Sequence, residues 1–241
     1  MMHSQRARVV HCAAGGLILA TTNVWAASVQ RPMAAPGDRD ITANCDVQGY
    51  GSGSQTLDVP TDIPDNDSNG VTIGPIEIPA NGTSVADVIV SLSIAHTWVG
   101  DLIVAILYDQ DANGSSDVAS RIICRPGRQG ACDDFGSGDG CSADLSSANV
   151  YTIQDFASQA MEFCNPPGSV FPTGCYRPSG LGAGALFYFQ GFRAGGRWWL
   201  NVSDHRAGDT GSISGWSLYV REGPPIAVSP GSWGRVKFLY H

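Results

Sequence analysis

Four segments of this chain alternate apolar and polar residues with a period of two, and that pattern restricts the fold more than any other feature. Val88, Val90, Leu92 and Ile94 alternate with Ile89, Ser91 and Ser93. Leu102, Val104, Ile106 and Tyr108 alternate within residues 101–109. Trp198, Leu200 and Val202 repeat the pattern, as do Trp216, Leu218 and Val220. Successive side chains of a strand point to opposite faces, so period two in β-branched and aromatic residues means strands with one buried face. Residues 71–78 and 121–124 are shorter candidates. Turn residues separate the segments: Asn69-Gly70, Asn81-Gly82, Asn113-Gly114, Gly195-Gly196 and the run from Gly208 to Gly211. No long helical period occurs. Many short strands with Gly- and Asn-rich turns predict an all-β fold, a β-sandwich of the jelly-roll kind.

Composition agrees. Charged residues are 15%, and there are 30 Gly and 14 Pro, a mix that suits a turn-rich β protein. The net charge of -8 argues against nucleic acid and anionic membrane as partners. It fits a solvated extracellular protein, and one that collects calcium. The first residues point to the same compartment. Arg6 and Arg8 precede an apolar stretch over residues 9–20, and Val24-Trp25-Ala26 is a small-x-small cleavage pattern. This reads as a secretory signal peptide over residues 1–26. The apolar run is short and broken by Gly15, Gly16, Thr21 and Thr22, so a membrane anchor is disfavoured. Cleavage would leave 12 basic residues against 22 acidic ones, a charge of -10.

Six cysteines remain after such cleavage: Cys45, Cys124, Cys132, Cys141, Cys164 and Cys175. An even number in an exported chain predicts disulfides. Six cysteines permit 15 pairings and the sequence selects none. The expectation adopted is the local pairs, Cys132 with Cys141 and Cys164 with Cys175, leaving Cys45 with Cys124. No Cys-x-x-Cys pair supports zinc. Residues 27–60, rich in Ala, Pro, Gly, Ser and Asp, read as a flexible lead-in that Cys45 would pin. Residues 61–222 form the domain. Within it, the strand pattern weakens over residues 125–185, which read as disulfide-tied loops. Residues 223–241 form a tail ending in an aromatic, basic run around Trp233, Lys237 and Tyr240.

Two linked motifs carry a family resemblance. The first is a strand followed by His96-Thr97-Trp98-Val99-Gly100-Asp101-Leu102. The second runs from Gly195 through Trp198, Leu200, Val202 and Asp204 to Gly208-Asp209-Thr210-Gly211 and Trp216-Ser217-Leu218. With Ile63-Pro64-Asp65-Asn66 upstream, these resemble the P domain (P/Homo B domain) of kexin- and furin-like proprotein convertases and bacterial subtilases. The resemblance covers roughly residues 61–222. It implies a β-jelly roll and a noncatalytic accessory role, because P domains follow a subtilisin-like serine endopeptidase and help it fold and stay stable. A secreted protease or another extracellular protein is then the implied partner. The cysteine-bearing loops depart from the family pattern, and no protease precedes the domain in this sequence.

The motif residues also have a physical reading of their own. Gly100-Asp101 reads as a tight turn with the Asp side chain bonding backbone amides. Gly208-Asp209-Thr210-Gly211 reads as a hairpin. Trp198, Trp199 and Trp216 read as core or sheet-face aromatics, and His96, at a strand end, as structural. A catalytic role finds little support. Gly82-Thr83-Ser84-Val85-Ala86 resembles the run around the subtilisin nucleophile, but Val88 replaces the expected proline and residues 27–81 hold no histidine. A serine without a base is a weak nucleophile. Asp204-His205 are adjacent on a strand and would face opposite ways.

Two loops spell the same Asp-x-Asp-x-Asn-Gly pattern: Asp65, Asp67, Asn69 and Gly70, and Asp109, Asp111, Asn113 and Gly114, with Asp117 nearby in the second. Alternate oxygen ligands with Gly at the sharp turn suit calcium. Position twelve of each loop is Ile76 or Ser120 rather than Glu, so neither is an EF-hand. The competing reading is that Asp and Asn simply build turns. Asp101, Asp204 and Asp209 form a further candidate acidic group, as do Asp133, Asp134 and Asp139. The leading expectation is a secreted, noncatalytic module. An adhesion or carbohydrate-binding module is the second reading, favoured if aromatics such as Trp98 or Tyr188 share an exposed surface. A hydrolase with an unrecognised site is the third.

Overall fold

The computed structural model describes residues 45–128, 140–162, 169–180 and 184–225. The proposed signal peptide, Cys132, Cys164, the group Asp133, Asp134 and Asp139, and the tail from residue 226 lie outside them. Among the described residues the fold is an all-β sandwich of two sheets, as the periodicity predicts. Ten strands occur: β1 (Gly51–Ile63), β2 (Val71–Ile78), β3 (Thr83–His96), β4 (Leu102–Asp109), β5 (Val118–Cys124), β6 (Tyr151–Ile153), β7 (Gln159–Ala160), β8 (Gly174–Arg177), β9 (Gly196–Asp204) and β10 (Gly211–Pro225). One sheet has the order β1-β10-β3-β6-β8-β7 and the other β2-β9-β4-β5. The four segments with the clearest alternation become the central strands β3, β4, β9 and β10. Each pairs with a strand on both sides and buries one face, which is why the alternation shows along its length.

The inward faces make the core. Val88, Val90, Leu92 and Ile94 of β3 meet Leu102, Val104, Ile106 and Tyr108 of β4, all nearly or wholly buried. Trp198 is fully buried and stacks on Tyr108, with ring centroids 4.0 Å apart, while Phe189 meets Trp198 edge-on at 5.1 Å. Each large apolar side chain so buried contributes about 1.5–3 kcal/mol. Trp216 lies in the same core, and Trp199 faces outward, half-buried.

Several expectations change. Gly208 to Gly211 is not a hairpin, because β9 and β10 belong to different sheets. The run carries the chain from one layer to the other, and short-range pattern cannot tell such a crossover from a hairpin. Residues 125–185 contain three short strands that extend the first sheet, and β6 and β7 pair with β8 in parallel. Strands of two to four residues are too short to show alternation. The ordered domain also starts earlier than residue 61. β1 begins at Gly51 and pairs with β10, and upstream of it the Tyr50 hydroxyl donates to Asp87 at 3.0 Å. The end of β10 at Pro225 carries the domain past residue 222.

The disulfide is Cys45–Cys175, which joins the segment before β1 to β8 across 130 residues. It replaces the expected pairs Cys45 with Cys124 and Cys164 with Cys175. Sequence proximity favoured the local pair, but β8 lies in the sheet that the N-terminal segment reaches. Cys124 and Cys141 are disulfide-bonded as well. No helix among the described residues is long and apolar enough to cross a membrane. Disulfides suit folding in an oxidising compartment.

Candidate functional site

The loop between β4 and β5 gathers the second acidic motif. Asp109, Asp111 and Asp117 each offer a carboxylate oxygen, and these oxygens lie within 4.8 Å of one another. The loop is built by its own side chains. Asp109 Oδ2 accepts from Gly114 N at 2.8 Å, and its Oδ1 accepts from Asn113 N at 3.2 Å. Asp111 Oδ1 also accepts from Asn113 N, Asn113 Oδ1 accepts from Ser115 N, and Asp117 Oδ2 accepts from Gln110 N. Ala112 takes φ of 58° and Gly114 93°, two left-handed residues that curl the loop around the carboxylates. Burial pushes the Asp109 carboxyl up, but hydrogen bonds from the Gly114 amide, the Asp111 side chain and the amides of Asn113 and Ala112 outweigh it and the net shift is downward. Three carboxyl groups at this spacing crowd their hard oxygen donors together, an arrangement that suits a calcium-sized cation. Asn113 serves the loop backbone.

The first motif is a turn. Asp67 Oδ1 accepts from Asn69 N at 2.8 Å and from Asn69 Nδ2 at 3.0 Å, while Asp65 accepts from Gly208 N of the β9–β10 crossover at 3.1 Å. Gly70 has φ of 60°, and a Cβ there would lie 2.0 Å from Val202 O, so the motif lets the β1–β2 connection press against β9. By contrast a Cβ on Gly114 would meet nothing within 4 Å. The same six-residue pattern thus serves two ends.

The family-type motifs meet in the interior. His96 Nε2 lies 3.1 Å from Asp204 Oδ2, with both side chains fully buried. His96 Nδ1 sits 2.9 Å from Trp98 O and 3.1 Å from Trp98 N. Asp204 Oδ1 accepts from Arg206 N. The Thr97 hydroxyl donates to Asp209 at 2.8 Å, and His205 N donates to Asp101 O at 2.9 Å. The 3₁₀ turn Val99–Asp101 is thereby fastened to the end of β9 and to the crossover that follows. Gly211 faces His96 so closely that an added Cβ would lie 2.4 Å from the imidazole. Asp204 and His205 do point opposite ways: His205 Nε2 is 2.9 Å from Ser203 Oγ on the outer face.

Asp101 corrects one expectation. Its carboxylate oxygens, fully buried, hydrogen-bond no backbone amide; Arg125 Nη2 lies 3.5 Å away. Burial, reinforced by the nearby Asp204 charge, raises its pKa to about 6. Arg125 is itself buried, has φ of 48°, and donates Nε to Gly100 O at 3.1 Å. Nothing in the sequence marks this arginine, which follows a cysteine in a stretch without pattern. The grouping of Asp101, Asp204 and Asp209 is therefore taken up by Arg125, His96 and Thr97. Ser84 lies in β3 and donates to Pro224 O at 2.9 Å, a strand position rather than a nucleophile's helix start.

No family model and no curated protein matches the chain. Among solved structures, it is similar to the serine protease of Aeromonas sobria in complex with its chaperone, at 17% identity and TM-score 0.39, over 70% of this chain and 26% of that one. The same protease solved in another structure gives 17% identity and TM-score 0.37, again over 70% and 26%. The structure of infectious bursal disease virus, Gx strain, gives 14% and 0.32, over 79% and 35%. The chain spans about a quarter of the protease's length. Likenesses at these values assign it no family.

Proposed function

We propose that this protein is a secreted, noncatalytic accessory module, of the kind that P/Homo B domains provide to subtilisin-like serine endopeptidases, and that it stabilises or docks on such a protease. The observation that carries the reading is the His96–Asp204 pair, fully buried and joining the two sequence motifs. In that place the motif histidine braces the turn between the sheets and is closed to substrate. Export is supported by the N-terminal sequence pattern and by the disulfide.

A calcium ion belongs to the same proposal. Asp109, Asp111 and Asp117 would hold it, and its charge would relieve their repulsion and fix the β4–β5 loop. The function is tested with the full chain, alone and mixed with a subtilisin-like protease secreted by the same cells. The expected results are no hydrolysis of casein or peptide anilides by the chain alone, and a longer protease half-life on heating in its presence. Hydrolysis that copurifies with the chain would sink the noncatalytic reading. An unchanged half-life at micromolar chain would sink the accessory one.

A further inference from the structure

Three Asn-Gly steps occur in the chain, at residues 69–70, 81–82 and 113–114. At such a step the glycine nitrogen can attack the side-chain amide before it, because no side chain on the glycine shields the approach. Attack requires that this N–H be free to turn towards the asparagine. Gly70 N donates to Asp67 O at 3.1 Å, and Gly114 N donates to the Asp109 carboxylate at 2.8 Å. Both are held in place. Gly82 N has no hydrogen-bond partner among the described residues, and a Cβ on Gly82 would meet nothing within 4 Å. Asn81 and Gly82 are both exposed, so water reaches the step.

The surroundings of Asn81 favour addition at its Cγ. Thr83 donates twice to Asn81 Oδ1, from its backbone N at 3.1 Å and from its hydroxyl at 2.5 Å. Both donors stabilise the negative charge that develops on this oxygen when a nucleophile adds. Asn81 Nδ2, the leaving nitrogen, donates to Glu222 Oε1. We propose that Asn81 is a self-modification site. Gly82 N bonds to Asn81 Cγ, the bond from Cγ to the side-chain nitrogen breaks, and that nitrogen leaves as ammonia with the proton from Gly82. Water then opens the succinimide ring at either carbonyl and leaves aspartate or isoaspartate. A hydrogen bond between Asn81 and Glu222 thereby gives way to two neighbouring carboxylates, which repel. Glu222 pairs with Val85 and Pro225 with Thr83, so the conversion loosens the end at which β10 meets β3.

The test is peptide mapping of the full chain by mass spectrometry during incubation in mildly alkaline buffer, folded and in denaturing urea. The amide-to-acid mass gain is read at each asparagine. In the folded chain Asn81 should convert about tenfold faster than Asn69 and Asn113, the factor expected when a rival amide must first give up a hydrogen bond. In urea the three rates should converge, because the fold sets the order. Thr83→Val removes the hydroxyl donor and should slow conversion at Asn81 by about threefold. Asn81→Asp installs the product charge directly, and hydrogen exchange of the amides of residues 83–85 should be faster in it than in the wild type. The proposal is overturned if Asn81 stays intact, if the three sites convert at one rate in the folded chain, or if their order persists in urea. An unchanged rate in Thr83→Val overturns the role given to Thr83, and unaltered exchange in Asn81→Asp overturns the loosening.

Discussion

Replacing His96 by Ala tests whether the motif histidine braces the fold. The change strips the fully buried Asp204 carboxylate of its facing imidazole and removes the side-chain partner of the Trp98 backbone. Breaking a buried pair on one side costs about 3–5 kcal/mol, because the remaining charge stays buried without compensation. For a domain of this size that lowers the melting midpoint by on the order of 10 °C. Asp204→Ala should cost a similar amount, since it also removes the acceptor of Arg206 N. The double variant should cost much less than the sum of the two, with a coupling near the upper end of the roughly 0.5–3 kcal/mol seen for contacting residues. Urea unfolding of the four proteins, followed by tryptophan fluorescence, gives the cycle directly. A cost below about 1 kcal/mol for His96→Ala, with additive single variants, would refute the brace and remove the main support for a noncatalytic role.

Three further outcomes are expected. Replacing Cys45 and Cys175 by Ser opens a loop of 130 residues, worth up to about 5 kcal/mol by chain entropy, so the oxidised wild type should melt on the order of 10 °C higher; coincident melts refute it. Asp101 titrates near 6 in the fold against 3.8 ordinarily, so the folded state binds the extra proton and stability falls as pH rises from about 4 to about 6. Asp101→Asn removes that slope, and its stability relative to wild type should rise by about 3 kcal/mol over the window; parallel curves in denaturant titrations at each pH refute the assignment. Millimolar calcium should raise the melting midpoint of the wild type and leave that of Asp109→Ala unchanged, whereas a chelator-insensitive wild type reduces the β4–β5 loop to a turn.

The sequence by itself determined the fold class and its central strands. Alternation along β3, β4, β9 and β10 reflects one buried face per strand, and that is a local property a single segment can display. It also determined that Asp109, Asp111 and Asp117 come together, because eight or nine residues of one hairpin loop enforce their proximity. The opposite facing of Asp204 and His205 followed from the same pleat. What only the tertiary structure decided is every relation between distant segments. Gly208 to Gly211 reads locally as a hairpin and is a crossover, because sheet membership depends on which strands pair. Cys45 chose Cys175 over nearer sequence partners, since the N-terminal segment and β8 belong to one sheet. Two segments sharing the Asp-x-Asp-x-Asn-Gly pattern became a turn pressed on β9 in one case and a carboxylate cluster in the other, because only the second has a third acid, Asp117, folded back beside it. The pairing of Asp101 with Arg125 likewise joins the turn before β4 to the residue after β5, a proximity that no periodic pattern encodes.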